Sequence, residues 1–259
     1  MIQTQATIIQ KETIAPAWWR LTVAAPELPP LLPGQFLLLR CADRFTCYLR
    51  RPIFPTPVAE YHLSLLLRPD PDPGLAWLST RQPDDTLDVI GPLGSGFPLA
   101  KNVRHLLLVS DGPHIGPLLG QMERAVAAGV AVTLALGGSR AAALYPVTAL
   151  PPAVEFQAAT LDGSLGYRGP VTDLLPELLR WADAVCTVGS IALYRTLRRQ
   201  MDQVRLRNES NFLAGLMADN LMACGVGTCL SCTVTTATGL KLACVDGPVF
   251  DLTELVFDT

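Results

Sequence analysis

The chain has 259 residues, of which 49% are hydrophobic, and its mean hydropathy is +0.32. This composition excludes intrinsic disorder and is sufficient for two domains and a small appendage. A net charge of −3 and a pI near 5.6 exclude the basic surface that nucleic acid or an anionic membrane requires. We therefore predict no nucleic-acid partner.

The N-terminus and the longest apolar run indicate where the protein resides. The first ten residues, MIQTQATIIQ, lack the basic segment and apolar core of a secretory signal. The apolar run at residues 125–136 is interrupted by Gly129 and is too short to span a bilayer. We therefore predict no membrane span and a cytoplasmic, reducing location.

The first hundred residues consist of short apolar runs separated by proline and glycine. Apolar alternation predicts strands at residues 6–10, 18–23, 35–40, 61–67 and 86–90. A helical turn is predicted at residues 75–80, before the last of these strands. Short strands with turn residues between them predict a small antiparallel barrel.

Two motifs of this region suggest ligand binding. Arg50 and Arg51 precede Pro52 at the expected end of a strand, where a guanidinium fork could hold a diphosphate. Residues 91–97, GPLGSGF, form a glycine-rich turn directly after a strand. Taken singly, these two motifs are better explained as a surface arginine pair and an ordinary linker between domains, and ligand binding is the alternative.

From residue 103 onward, strands alternate with helices. The pattern predicts strands at residues 105–110, 130–136, 153–158 and 184–188, and helices at residues 115–128, 171–181 and 190–201. This alternation predicts a doubly wound α/β domain, whose ligands bind beyond the carboxyl ends of the strands. The change of period places the domain boundary at residues 99–102.

The first turn between strand and helix, residues 110–116, is poorly suited to a dinucleotide phosphate. Pro113 has no N–H to donate, and Asp111 would place a negative charge beside an incoming pyrophosphate. His114 offsets that charge only in part and is better explained as a turn residue.

Four of the seven cysteines are close together near the C-terminus, with the spacing C-x4-C-x2-C-x11-C. This spacing is typical of a plant-type [2Fe-2S] site. Gly225 and Gly227 allow the loop to curl around a cluster and to direct N–H groups at its sulfurs. Zinc, which would more often show two C-x2-C pairs, and a disulfide, which needs an oxidising compartment, remain alternatives. The predicted ligands are Cys224, Cys229, Cys232 and Cys244.

Motifs along the whole chain point to one family. They are Arg51-Pro52-Ile53, similar to R-P-I/F-S; residues 91–97, similar to G-P-L-G-N-G-F; residues 161–173, similar to D-G-S-x-G-x-x-G-x-V-T-D; and the cysteine loop with residues 244–250, similar to C-x-D-G-P-V-F. With these motifs the chain resembles the electron-transfer subunits of NAD-dependent dihydroorotate dehydrogenase. Those subunits are a branch of the ferredoxin–NADP reductase superfamily.

The resemblance implies a fold and a set of cofactors. It implies an FAD-binding β-barrel domain at residues 1–99, a Rossmann-like domain at residues 100–208 and a [2Fe-2S] domain at residues 209–259. Carried over by motif, the FAD-binding residues are Arg51, Pro52, Ile53, Phe54, Leu67, Arg68, Gly74 and Leu75. An electron carrier of this kind needs no catalytic acid, base or nucleophile, and we single out none in the sequence.

The resemblance also implies a partner. The implied function is electron transfer from NAD(P)H through FAD and the cluster to a catalytic flavoprotein subunit, as in dihydroorotate dehydrogenase of pyrimidine biosynthesis. The implied assembly is a heterotetramer with two copies of each subunit, in which this oxidoreductase subunit does not turn over dihydroorotate alone. We expect the apolar segment at residues 212–218 and the cysteine loop to face the partner.

Several positions depart from the family pattern, and most of them concern dinucleotides. Phe54 replaces serine, and in a segment similar to G-x-G-T-x-x-L, Asp72 replaces the first glycine and Leu75 replaces threonine. The turn G-G-G-I-G appears as residues 112–116, GPHIG, and C-G-P appears as residues 186–189, CTVG. We expect FAD to be retained, because one neutral hydrogen bond contributes only about 0.5–1.5 kcal/mol and Arg51 remains.

We expect NAD(H) oxidation to be weakened or absent. Two other functions stay open from the sequence. One is an electron-transfer subunit of another reductase complex, of the hydrogenase or sulfur-reductase type. The other is a non-catalytic iron–sulfur module for regulation or assembly, in which dinucleotide binding has degenerated.

Overall fold

The fold is given by a computed structural model that describes residues 1–16, 18–42, 47–59, 61–68, 72–204, 213–217 and 222–257. Within these ranges an antiparallel β barrel is followed by a doubly wound α/β domain and a small C-terminal domain that carries the four clustered cysteines. The predicted fold class is therefore confirmed. No helix of the described part is long and apolar enough to cross a membrane.

Seven antiparallel strands build the barrel in the order β4-β3-β7-β1-β2-β6-β5. Along β7 every second side chain is buried, as period-2 alternation predicts. The interior of the barrel is filled by aliphatic side chains such as Ile8, Leu21 and Leu65. The elements are β1 (Ile2–Ala15), β2 (Trp18–Ala24), β3 (Phe36–Leu39), β4 (Arg51–Ile53), β5 (Thr56–Ala59), β6 (His62–Leu67), α1 (Pro73–Thr80) and β7 (Thr86–Leu93).

The strands predicted for this region are all present, and the helical turn predicted at residues 75–80 belongs to α1. Two further strands, β4 and β5, escape sequence analysis because they are short and contain Pro52 and Pro57, and proline ordinarily argues against a strand. Both lie at the edges of the sheet, where proline is tolerated.

The second half of the chain forms a parallel sheet that ends in one antiparallel strand. Its elements are β8 (His105–Ser110), α2 (Gly116–Ala127), β9 (Ala131–Gly138), β10 (Val154–Thr160), β11 (Tyr167–Arg168), α3 (Leu175–Trp181), β12 (Ala184–Val188), α4 (Ile191–Val204) and β13 (Leu213–Leu216). The last strands are β14 (Thr233–Thr236), β15 (Gly239–Leu242) and β16 (Val249–Asp251). The sheet order is β11-β10-β9-β8-β12-β13-β16, and β14 pairs with β15 as a separate hairpin.

Strand β13 corrects one expectation from the sequence. Its residues Leu213–Leu216 are all buried, and the strand lies between β12 and β16. Residues 213–216 of the predicted partner-facing segment therefore owe their apolar character to the sheet core and do not face a partner. Residues 212 and 218 lie outside the described ranges. The domain limits at residues 99 and 208 stay predictions, although β13 and β16 extend the central sheet.

The glycine-rich turn at residues 91–97 holds the C-terminal region against the barrel. Gly94 has a φ of +71°, and a Cβ there would lie 2.4 Å from the Cδ atom of Pro248. The Ser95 hydroxyl donates to the Val249 carbonyl at 3.2 Å. Two motifs that lie about 150 residues apart in sequence therefore pack on each other, and this packing seats the cysteine loop.

Candidate functional site

The four clustered cysteines form two adjacent pairs. The thiol of Cys224 is hydrogen-bonded with Cys229, and the thiol of Cys244 with Cys232. Cys229 is exposed and Cys224 is half-buried, whereas Cys232 and Cys244 are buried. One pair of thiols therefore faces solvent and the other lies in the protein interior.

Backbone donors surround the outer pair. The N–H of Val226 donates to the Cys224 sulfur at 3.5 Å. Together with the N–H groups of Cys229 and Thr228, this bond lowers the pKa of Cys224 to about 6. Burial, with a smaller contribution from Cys232, raises the pKa of Cys244 to about 12. The Cys244 thiol therefore needs a metal's positive charge in order to ionise at neutral pH.

The donor set fits a [2Fe-2S] cluster. Such a cluster takes four cysteine thiolates, two on each iron, and two adjacent pairs of thiols satisfy that need. The spacing C-x4-C-x2-C-x11-C, and not the donor set alone, favours [2Fe-2S] over zinc.

The cysteine loop rests directly on the barrel. Gly225 has a φ of +70°, and a Cβ there would lie 2.8 Å from the Cδ1 atoms of both Leu38 and Leu93. Leu38 belongs to β3 and Leu93 to β7. Only glycine lets the backbone approach these strands so closely.

A cleft between the barrel and the α/β domain collects most of the predicted flavin residues. Its barrel side is formed by Pro52, Ile53, Phe54, Leu66, Leu67, Arg68 and Leu75, and its other side by Pro113, His114, Gly116 and Pro117. An apolar cleft with a few polar groups, placed between two domains, is a typical cofactor site. The remaining two predicted residues, Arg51 and Gly74, lie beside this cleft.

The Phe54 side chain cannot supply the hydroxyl that serine provides in the family motif. Its side chain is buried and packs on Phe36, with ring centroids 5.9 Å apart. Its carbonyl approaches Gly116, where a Cβ would lie 3.1 Å from that oxygen. Phe54 therefore stabilises the wall of the cleft and adds no hydrogen-bond donor from its side chain.

Arg68 brings a positive charge to the cleft. Its guanidinium carbon lies 4.7 Å from the ring centroid of Trp18, which is a cation–π contact. The Trp18 indole is fixed in turn by a 3.0 Å hydrogen bond to the Leu144 carbonyl. Burial lowers the pKa of Arg68, but a guanidinium stays charged at neutral pH.

Arg51 and the N-terminus of α1 form an anion site that a carboxylate of the chain occupies. The Nε of Arg51 donates to Oδ1 and Oδ2 of Asp72 at 2.9 Å and 3.0 Å. The N–H groups of Gly74 and Leu75 donate to Oδ1 at 2.8 Å and 3.0 Å. The hydrogen bond from Arg51 is the main cause that lowers the pKa of Asp72.

The donors bonded to this carboxylate are also suited to a phosphate. A guanidinium and backbone N–H groups at a helix N-terminus are donors that phosphates prefer. The residues therefore fit the diphosphate of FAD. The sequence signal for the arrangement was Asp72 followed by Pro73, since an acidic N-cap with proline at the first helical position starts a helix. From the sequence alone, Asp72 was interpreted only as the loss of the first glycine of the family motif.

A second carboxylate closes the crevice predicted for the nicotinamide dinucleotide. Oδ1 of Asp111 accepts from the Ser190 N–H at 2.8 Å, and Oδ2 accepts from the Ser190 hydroxyl at 2.5 Å. Strands β8 and β12 are neighbours at the point where the strand order reverses, which is where ligands of such sheets bind. Asp111 follows β8 and reaches the N-terminus of α4, so it bridges this switch point.

Gly189 is required by the same contact. A Cβ at Gly189 would lie 2.1 Å from Oδ1 of Asp111. Sequence analysis identified the charge of Asp111 but missed Ser190 as its partner, because the two residues are far apart along the chain. The crevice is therefore a poor fit for a nicotinamide dinucleotide diphosphate.

The three other cysteines lie away from the clustered thiols. Burial raises the pKa of Cys41 to about 12 and also raises the pKa of Cys186. Cys47 is half-buried, with its sulfur 3.9 Å from Nη2 of Arg51. Cys41 and Cys186 are therefore protonated and unreactive at neutral pH, as expected of buried structural thiols.

Comparison with known proteins gives a consistent picture. The family model of the iron–sulfur cluster binding domain of dihydroorotate dehydrogenase B matches residues 219–256. The chain is 30% identical over 264 residues to the dihydroorotate dehydrogenase B (NAD(+)) electron transfer subunit of Geobacillus sp. (strain WCH70), covering 99% of each chain. It is 32% identical over 250 residues to the subunit of that name from Streptococcus pneumoniae serotype 4, covering 94% of this chain and 96% of the relative.

Solved structures share the fold. A chain of the NADH-dependent reduced ferredoxin-NADP oxidoreductase superposes with a TM-score of 0.80 at 24% identity, covering 97% of this chain and 89% of the other. A ferredoxin NADP+ reductase from Neisseria gonorrhoeae with bound FAD and NADP superposes with a TM-score of 0.65 at 18% identity, covering 82% of this chain and 98% of the other. At these identities the likeness establishes the fold alone.

Proposed function

Because the chain belongs to the family of dihydroorotate dehydrogenase B electron transfer subunits, we propose that it carries electrons from FAD through a [2Fe-2S] cluster to a catalytic flavoprotein. FAD takes up electrons in pairs and the cluster passes them singly. The chain's own residues bind and orient both groups. Arg51 and the N–H groups of Gly74 and Leu75 hold the flavin diphosphate, while Pro52–Phe54, Leu67 and Arg68 line the cleft.

The observation that carries this proposal is the short distance between the cleft and the cysteine loop. Pro52 of β4 lines the cleft and is paired in register with Leu38 of β3. The Leu38 side chain in turn contacts the backbone at Gly225, next to Cys224. Neighbouring strands lie about 4.8 Å apart, so one pair of strands separates the two cofactor sites. This adjacency supports placing both sites on one electron path.

The partner would dock around the cysteine loop. Three exposed apolar residues, Val226, Leu230 and Val245, surround the outer cysteine pair. We call them the apolar rim. Exposed apolar side chains around a redox centre are suited to a protein interface. We propose a dihydroorotate dehydrogenase-like catalytic subunit as the partner, in a heterotetramer with two copies of each chain.

NADH would be a poor electron donor to this chain. The Asp111 carboxylate occupies the N-terminus of α4, and Pro113 removes a backbone donor from the turn that follows β8. We therefore propose that NADH reduces the flavin slowly. Anaerobic mixing with stoichiometric NADH tests this: slow loss of the flavin's visible absorbance is expected, and rapid complete bleaching would refute it.

The whole proposal is tested by purification from the native host without oxygen. We expect flavin and cluster absorbance in the purified chain, together with a co-purifying subunit that oxidises dihydroorotate. A different reductase subunit in that position would replace the pyrimidine assignment but leave the electron path intact. Cluster absorbance without flavin would instead support the non-catalytic iron–sulfur module.

A further inference from the structure

Asp72 accepts from three donors of the anion site: Nε of Arg51 and the N–H groups of Gly74 and Leu75. Its Oδ1 accepts from Arg51 and from the N–H groups of Gly74 and Leu75, at 2.8–3.0 Å. Its Oδ2 accepts a further bond from Arg51 at 3.0 Å. A flavin diphosphate at this site needs the same donors, because the guanidinium and the start of α1 are what bind an anion there.

The rest of the Arg51 side chain is also engaged. Its Nη1 donates to the Leu49 carbonyl at 2.7 Å, and its Nη2 is directed at the Cys47 sulfur at 3.9 Å. Nη1 and Nη2 each carry a second N–H, whereas the single N–H of Nε is given to the Asp72 carboxylate. A diphosphate can therefore bind Nε only by displacing that carboxylate. The most costly partner to give up is the carboxylate, since a bond between two charged groups is stronger than a neutral one.

The local backbone is built around the carboxylate. A Cβ at Gly74 would lie 3.0 Å from Oδ1 of Asp72 and 3.1 Å from Cγ of Arg51, so glycine leaves room for the pair. The site adjoins the cleft, because Leu75 and Pro52, the neighbours of Gly74 and Arg51 in sequence, both line it. The carboxylate is therefore bonded to donors directly beside the cleft, within the region that the phosphates of a flavin in that cleft would need.

We propose that Asp72 competes with the flavin diphosphate for Arg51 and for the N-terminus of α1, and thereby sets the affinity of the chain for FAD. This inference rests on the proposed binding of flavin in the cleft. FAD binds when the Asp72 carboxylate leaves these donors. Riboflavin, which has the same ring system without phosphate, enters the cleft with no such displacement. Asp72 thus determines how strongly the chain prefers FAD to riboflavin.

The test compares the full-length, cluster-containing chain with two neutral variants, Asp72→Asn and Asp72→Ser. Both new residues are good helix N-caps, so α1 is retained while the charge is removed. Dissociation constants for FAD and for riboflavin are measured by quenching of flavin fluorescence. We expect both variants to bind FAD about tenfold more tightly, which corresponds to about 1.4 kcal/mol, and to bind riboflavin unchanged.

Asp88→Asn is the matched control. Asp88 accepts a 2.8 Å bond from Arg50, the residue before Arg51, and so forms a similar ion pair outside the cleft. We expect this variant to leave both flavin affinities unchanged. Melting temperatures and cluster absorbance verify that all variants are folded.

Each other outcome is informative. Unchanged or weaker FAD binding in both Asp72 variants, with the wild type binding FAD, would overturn the inference but leave the proposed function intact. Equal tightening for FAD and riboflavin would also overturn it, because the effect would then not act through the phosphates. Absence of binding of either flavin to any of the folded proteins would refute the flavin part of the proposed function itself.

Discussion

The cysteine loop and the two nucleotide sites use their backbone N–H groups in opposite ways. In the loop, the N–H groups of Val226 and its neighbours are directed at a thiol that is to become a metal ligand. In the nucleotide sites, the N–H groups at the starts of α1 and α4 are already bonded to carboxylates of the chain, Asp72 and Asp111. The N–H groups of the loop are therefore directed at a cofactor ligand, whereas those of the nucleotide sites are bonded to carboxylates of the chain itself.

This difference distinguishes the two ends of the proposed electron path. We call the cysteine loop its exit and the two nucleotide sites its entry. The exit keeps both the residues and the geometry that a cluster needs. At the proposed entry, the N–H groups at the starts of α1 and α4 are bonded to the carboxylates of Asp72 and Asp111. Because a carboxylate and a phosphate compete for the same donors, we expect removal of a cluster ligand to disable the exit, and removal of a carboxylate's charge to strengthen ligand binding at the entry.

The largest effect is expected at the exit. Cys224→Ser removes one of the four thiolates, and we predict that reduction of the partner is abolished while flavin binding is unchanged. Reduction of the co-purified catalytic subunit, followed by its absorbance, measures the first effect, and flavin titration measures the second. Cys186→Ala, which removes a thiol buried in β12, is the control and should transfer electrons normally. Unchanged partner reduction in Cys224→Ser would place the cluster outside the path.

At the entry, Arg51 should matter most. Arg51→Ala removes the guanidinium that pairs with Asp72 and leaves that carboxylate without its charge partner. We predict that FAD affinity falls by about 10- to 100-fold, since hydrogen bonds to charged groups contribute about 1.5–3 kcal/mol. Fluorescence titration measures the loss. Arg50→Ala removes the neighbouring guanidinium, which is bonded to Asp88 and to backbone, and should leave FAD affinity unchanged. Equal losses in both variants would contradict a specific role of Arg51.

Local patterns were sufficient to predict much of the fold. The alternation along β7 and the continuous apolar run of β8 identified their strands, because each reflects burial on one face or on both faces. The cysteine spacing likewise identified the candidate cluster site, since three thiols lie on one loop and the fourth lies in the turn after the hairpin β14–β15 that follows it. These features depend on neighbours in sequence.

The features that were missed depend on residues far apart in sequence. The apolar residues of β13 were interpreted as a partner surface, because nothing local indicates that β12 and β16 cover them. The contact of Asp111 with Ser190 joins the ends of β8 and β12, and only the strand order brings these ends together. The pairing of Arg51 with Asp72 also crosses a long connection, although the N-cap itself was visible in the sequence.

A smaller effect is expected from neutralising the second carboxylate. Asp111→Asn keeps an acceptor for Ser190 but removes the charge beside the nicotinamide crevice, so NADH should reduce the flavin about fivefold faster at limiting concentration. The rate of flavin bleaching by NADH measures this. Ser190→Ala, which removes the hydroxyl contact and keeps the carboxylate, is the control and should give no gain. Equal gains in both variants would show that the Asp111–Ser190 contact itself, and not the charge of Asp111, limits the rate at which NADH reduces the flavin.

The smallest effect concerns the stability that Asp72 provides. Because Arg51 lowers the pKa of Asp72 in the folded chain, the ionised pair stabilises the fold above the unfolded pKa of 3.8, and this contribution is lost as the pH falls through the lower folded value. At pH 7, Asp72→Asn should therefore lower the free energy of unfolding by about 0.5–1 kcal/mol, and this difference should disappear as the pH falls below about 4. Thermal melts of both proteins across this range measure it. In an Arg51→Gln background the same substitution should show a much weaker dependence on pH. If the difference in the free energy of unfolding persists undiminished in acid, the stabilisation comes from the N-cap hydrogen bonds and not from the charge. Charge attraction would then not be what holds the carboxylate in the anion site.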